Sequence, residues 1–252
     1  FPVWESIFFR ALSGSIIAVF LAMYFGFDKL KTKKPVGHAI RAFSASGCVV
    51  FYIYGINNLM LSENIAIAHS APIIAAFLAV PILGERIGIL RTSAILIGFI
   101  GVLIIVKPGT DLFKLESLYP LISACFMASV YLSTRSVMST DSSVAIIFYY
   151  SFALLITSLI FFPSNFIMPD INQLTFAMSL GVMGSLGHFF MSQAAKNADV
   201  AVTSPFEYSS FIFVGFMGFL IFAEVPTLSI YLGGIIIIST GIFIAYRERK
   251  NN

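Results

Sequence analysis

Ser62–Leu83 reads SENIAIAHSAPIIAAFLAVPIL and Gly88–Val106 reads GILRTSAILIGFIGVLIIV, with only Gly84-Glu85-Arg86-Ile87 between them. The first stretch carries one charged side chain, Glu63, and the second carries one, Arg91. A hydrocarbon layer about 30 Å thick takes roughly 20 apolar residues per helix. Each stretch is long enough to cross it, and the connector is too short for anything but a turn back. The same rhythm extends in both directions, over Val3–Phe27, Val36–Asn57, Leu118–Val137, Ser143–Phe162, Leu174–Ala195, Val200–Phe222 and Leu228–Tyr246. Hydrophobic residues make up 58% of the 252 and charged residues 11%, with a mean hydropathy of +0.94. A soluble domain cannot cover its surface with so few charges. Only helices and closed barrels satisfy every backbone group in lipid, and the segments lack the period-2 alternation of a barrel strand. The expected fold is therefore all-α: a polytopic membrane bundle, with nine helices and no separate soluble domain.

Orientation follows from the basic residues. With the C-terminal Arg247, Arg249 and Lys250 in the cytoplasm, the same side also holds Lys29, Lys31, Lys33, Lys34, Arg41, Arg86, Arg91, Arg135 and Lys196. Only Arg10, Lys107 and Lys114 fall on the other face, a split of 12 to 3 that supports nine spans in the inner membrane with a cytoplasmic C-terminus. The net charge of +3 is thus mostly a topology signal and calls for no nucleic-acid partner. The count places Phe1 outside, immediately before a full-length helix and without a signal peptide's basic start or cleavage site. The expectation is that one upstream helix is missing from a natural set of ten.

An internal repeat supports this count. Shifted by 139 residues, Ile65–Glu85 falls on Ser204–Glu224, so that Glu85 meets Glu224, Asn58 meets Asn197 and His69 meets Tyr208. One residue of slip then aligns Gly101 with Gly241. An odd number of helices per unit, five, puts the two copies in opposite orientations. Inverted repeats are a common architecture of secondary transporters, with the binding site near the midplane.

The runs SAPIIAAFLAVPILGERIG (70–88) and LIGFIGVLIIVKPG (96–109) resemble the closing signature of an EamA-type repeat. So do SPFEYSSFIFVGFMGFLIFAE (204–224) and YLGGIIIISTGIFIAY (231–246), and FFRAL (8–12) is similar to the family's arginine-bearing start. The chain is identified as a member of the drug/metabolite transporter superfamily. The resemblance implies two five-helix repeats, an incomplete one over 1–110 and a second over 115–247. It also implies a permease for a small metabolite, an amino acid or a drug. The connector KTKKPVGHAIRAF (31–43) and PFEYSS (205–210) resemble most the S-adenosylmethionine uptake branch.

An ionisable residue inside a membrane costs about 2.5–3.5 kcal/mol on insertion scales and is functional by default. Glu207 lies roughly 10 Å into its helix at about 1.5 Å per residue, two residues after Pro205, which removes a backbone donor. It suits a cationic group or a coupled proton; the alternative is a structural Glu bonded to a neighbouring helix. Tyr208 and its repeat counterpart His69 are expected to approach each other and to stack on a flat ligand, unless His69 merely bonds a facing carbonyl. His188 sits mid-helix beside Gly184 at i−4, suited to packing or to a cavity wall. Tyr52 and Tyr149 are further lining candidates. Arg10 either snorkels to the surface or pairs with Glu63. Ala71, Ala75 and Ala79, and Gly181 with Ser185, are small-residue faces for close helix approach.

No phosphate-binding loop of the G-x-x-x-x-G-K-[ST] or G-x-G-x-x-G type appears, so ATP-driven transport is not expected. No metal-ligand spacing and no catalytic nucleophile pattern appears either, and Cys48 and Cys125 both lie inside predicted spans. No cofactor is expected. The reading is a secondary active carrier working by alternating access, with a small-molecule substrate, a coupled proton or counter-substrate, and the bilayer as its surroundings. An exporter of the same family uses the same parts. An intramembrane enzyme or a non-transporting subunit is the alternative from another class.

Overall fold

The computed structural model describes residues 3–83, 89–107, 114–138, 140–162, 166, 168–197, 209–223 and 225–251. Among them the chain forms ten α-helices. These are α1 (Val3–Phe25), α2 (Pro35–Asn58), α3 (Leu61–Ala68), α4 (Ala71–Leu83), α5 (Ile89–Val106), α6 (Leu118–Met138), α7 (Ser143–Ile160), α8 (Ile171–Asn197), α9 (Ser209–Phe222) and α10 (Leu228–Asn251). Short 3-10 turns cover Phe27–Leu30 and Leu115–Ser117. Five helices have the length and apolar composition to cross a membrane, and the exposed side chains are themselves large and apolar: Phe20 and Tyr24 on α1, Leu96 and Ile100 on α5, Leu232 and Ile235 on α10. A helix that buries one stripe and leaves apolar side chains on its other face suits lipid, not water.

One predicted span is two helices. Ser62–Leu83 breaks after Ala68, and the sequence supplies the reason. Pro72 has no N–H, so the Ala68 carbonyl cannot receive its usual i+4 donor. The chain tightens instead: the Ser70 N–H donates to Ile67 O at 3.0 Å, and the helix restarts when Ile74 N–H donates to Ser70 O at 3.0 Å. His69 is the residue at the break. Of the predicted span 200–222, the described part is α9; positions 200–208 lie outside the described residues.

The chain divides into two compact units. The first comprises 1–50 and 129–197, hence α1, the first half of α2, the end of α6, α7 and α8. Its frame is α1 packed on α7 and α8. Gly181 of α8 sits so close to α1 that an added Cβ would lie 2.9 Å from the Arg10 carbonyl carbon. Ser13 and Gly14 of α1 line the same crossing.

The second unit comprises 51–128 and 198–252. Its core is aliphatic, with Ala66 and Ile67 of α3, Ile73 of α4, Ile95, Val102 and Ile105 of α5, and Ile230, Ile237 and Ile244 of α10. The last three recur every seven residues and so hold one face of α10 against α5. There a Cβ on Gly101 would lie 2.9 Å from the Gly233 carbonyl oxygen. Glycine is required because the backbones nearly touch.

The glycines of α8 make opposite predictions for one chemical change. Gly187 has nothing within 4 Å of an added Cβ, whereas Gly181 has α1 backbone. Gly181→Ala is expected to destabilise by about 1–3 kcal/mol, the usual cost of overpacking. Gly187→Ala is expected to be neutral or stabilising by up to about 1 kcal/mol, from helix propensity. Thermal denaturation of both variants in detergent checks the difference.

Candidate functional site

In the second unit the site candidate is the α3–α4 break. His69 closes α3 with its N–H on Ile65 O at 3.0 Å, and its imidazole Nε2 lies 3.1 Å from the hydroxyl of Ser210 at the start of α9. The sequence pairs His69 with Tyr208, two residues before Ser210. Glu207, Tyr208 and Pro205 lie outside the described residues. Tyr52 is half-buried on α2, and its carbonyl accepts from the Asn64 side-chain amide at 3.4 Å. Glu63, at the start of α3, has Lys114 as its partner at 3.5 Å.

In the first unit the polar groups converge from four helices. Arg10 of α1, Tyr150 and Ser151 of α7, and Gly181, Gly184 and Ser185 of α8 line a small cavity. The Arg10 guanidinium rests against Gly184, where an added Cβ would lie 3.2 Å from Nη2. Arg10 is therefore turned into the unit rather than snorkelling outward. His188 packs edge-on against Tyr150 with ring centroids 4.5 Å apart. Arg41 of α2 is 1% exposed and its Nε donates to Thr134 Oγ1 at 2.8 Å. Its charge acts on both Tyr150 and His188, and that of Arg10 also acts on His188.

A second polar group pins the connectors together. Asp141, between α6 and α7, has a side chain 1% exposed. It accepts from the Thr32 hydroxyl, from the Lys33 N–H at 3.3 Å and from Thr140 Oγ1 at 2.8 Å, and His38 Nε2 lies 2.9 Å away. Burial alone would raise the Asp141 carboxyl. The hydrogen bonds from Thr32, Thr140, Lys33 and His38 outweigh it and hold the group well below the usual carboxylate range. Around it, Ser142 Oγ donates to Lys29 O at 2.6 Å and Tyr149 Oη to Leu30 O at 3.0 Å. Tyr149, a lining candidate by sequence, thus uses its hydroxyl on the α1–α2 connector, and its ring lies 4.7 Å from His38.

Arg41, Tyr150 and Ser151 were not singled out by sequence reasoning. A signal existed: His38, Arg41 and Ser44 recur every three residues and so share one face of α2. The basic-residue count absorbed Arg41 as a topology marker.

These features define a multi-pass membrane protein with buried polar sites and, among the described residues, no cluster of metal ligands. Residues 1–107 and 115–247 both match the EamA-like transporter family. The chain belongs to that family: it is a membrane transporter of small molecules, not an enzyme. It is 29% identical to an S-adenosylmethionine uptake transporter of Rickettsia conorii over 98% of this chain and 84% of that one. It is 25% identical to a pseudopaline exporter of Pseudomonas aeruginosa over 94% of this chain and 84% of the other. A crystal structure at 16% identity superposes with a TM-score of 0.66, covering 98% of this chain and 90% of its own, which shows the shared fold.

Asp141→Asn is expected to lower stability at neutral pH by about 2 kcal/mol, since hydrogen bonds to a charged group are worth about 1.5–3 kcal/mol. The folded carboxyl titrates below its ordinary value of 3.8, so its contribution is complete above about pH 4 and is lost as pH falls through the folded value. Thermal melts should therefore show the wild type more stable than Asp141→Asn from neutrality down to about pH 4, and that advantage should disappear in stronger acid.

Proposed function

We propose that this chain is a secondary carrier that takes up S-adenosylmethionine across the cell membrane by alternating access. The observation that carries the reading is the end-to-end likeness to the Rickettsia uptake transporter, 29% over 98% of this chain. The broken helix at His69 supports it, because interrupted helices with freed carbonyls are where secondary transporters hold substrates and coupling ions. Two inverted repeats, over 1–110 and 115–247, would rock about the site, with the C-terminus in the cytoplasm. Glu207 binds the cationic end of the substrate or the coupled proton, and Tyr208 and His69 shape the pocket for a flat ring. An exporter of a related metabolite is the second reading, favoured by the likeness to the pseudopaline exporter.

Counterflow in proteoliposomes tests this. Labelled S-adenosylmethionine should exchange saturably, and Glu207→Gln should reduce the exchange at least about tenfold while the protein still folds, the scale of one lost charge-assisted contact. Exchange that survives Glu207→Gln removes Glu207 from the site. Exchange of other metabolites, without S-adenosylmethionine, replaces the uptake reading with the second one.

A further inference from the structure

The first unit holds Arg10 and Arg41, and among the described residues it buries two acids, Glu5 of α1 and Asp141. Among the described residues neither Arg10 nor Arg41 belongs to an ion pair. Asp141, which is buried in the same unit, is committed to Thr32, Thr140, Lys33 and His38. Arg41 is 1% exposed, and its Nη2 has no hydrogen-bond partner although Nε is held by Thr134. A buried guanidinium donor left open costs about 1–3 kcal/mol or more, so its retention calls for an acceptor that comes and goes. The cavity lined by Arg10 and Tyr150 has a second open group: the Ser151 hydroxyl, 1% exposed and also without a partner.

Tyr150 joins the two parts. It lines the cavity with Arg10 and Ser151, and it lies in the field of Arg41. Gly14, Gly181 and Gly184 complete the lining, where α1 and α8 lie close against each other. We propose that this cavity between α1, α7 and α8 receives the carboxylate of the transported molecule, held by Arg10 and Arg41 with a hydrogen bond from Ser151. The shape of the donor set favours a carboxylate. Guanidinium presents paired N–H groups that match two oxygens on one carbon, and a serine hydroxyl supplies a further donor. In the present arrangement the cavity holds about 10 Å³, the room of one water. Entry of a carboxylate therefore requires the half-buried Arg10 side chain to swing away from Gly184, a change suited to a carrier that closes around its load.

This deepens the uptake reading, and rests on it for the identity of the load, because S-adenosylmethionine carries a carboxylate as well as its cationic sulfonium. The test is binding of S-adenosylmethionine and of decarboxylated S-adenosylmethionine to the protein in lipid nanodiscs. The acid should bind about 10- to 100-fold more tightly than the decarboxylated form, the scale of one or two charge-assisted hydrogen bonds. Arg41→Gln should erase that preference. Ser151→Ala, which removes a hydroxyl with no internal partner and so leaves the fold intact, should reduce it several-fold and leave binding of the decarboxylated form unchanged. Equal binding of the two forms by the wild type overturns the carboxylate site while leaving the uptake reading in place. If neither form binds, the uptake reading falls, and a panel of amino acids against their matching amines decides the site. A preference for the acids that Arg41→Gln or Ser151→Ala abolishes sustains it. No preference, or no binding by any acid, overturns it.

Discussion

Hydrocarbon offers no hydrogen bonds, and this constraint governs the molecule. Backbone groups are satisfied inside helices, helices meet where glycine lets their backbones touch, and a polar side chain left unanswered in the interior costs free energy. The apolar exterior and the glycine crossings at Gly181 and Gly101 follow directly. So does the significance of the few interior polar groups. Asp141 is answered by Thr32, Thr140, Lys33 and His38, and it fastens the connectors at one end of the first unit. Arg41 is answered in part, by Thr134, and keeps a donor open.

The two units contribute different chemistry. The second offers an interrupted helix, with His69 at the break and Ser210 on its imidazole. The first offers guanidinium groups, aromatic rings and a hydroxyl around a small cavity. Glu207 of the second unit, identified from sequence, is proposed to take a cationic group, and the arginines of the first unit a carboxylate.

Much of the fold was legible because the signal is local. Runs of apolar residues as long as a bilayer, separated by Lys-Pro or Pro-Ser-Asn connectors, fix helices to within a few residues; α2, predicted as 36–57, is Pro35–Asn58. The break in Ser62–Leu83 was less visible. Its cause, Pro72, sits in the middle of an apolar run whose hydropathy does not change there. Sequence draws attention to a candidate only where a residue is anomalous in its own surroundings, as His188 is beside Gly184. Arg41 escaped because a basic residue near a helix start has an ordinary explanation as a topology marker. Asp141 escaped because three of its four partners, Thr32, Lys33 and His38, lie more than 100 residues earlier in the chain, a separation that no local pattern reports.

A structure of the protein with S-adenosylmethionine bound tests the central claim most directly. The account predicts the ligand's carboxylate between Arg10 and Arg41 in the first unit, with Arg41 Nη2 and the Ser151 hydroxyl both donating to it. A bound ligand whose carboxylate lies elsewhere, with those two donors still unoccupied, would contradict it.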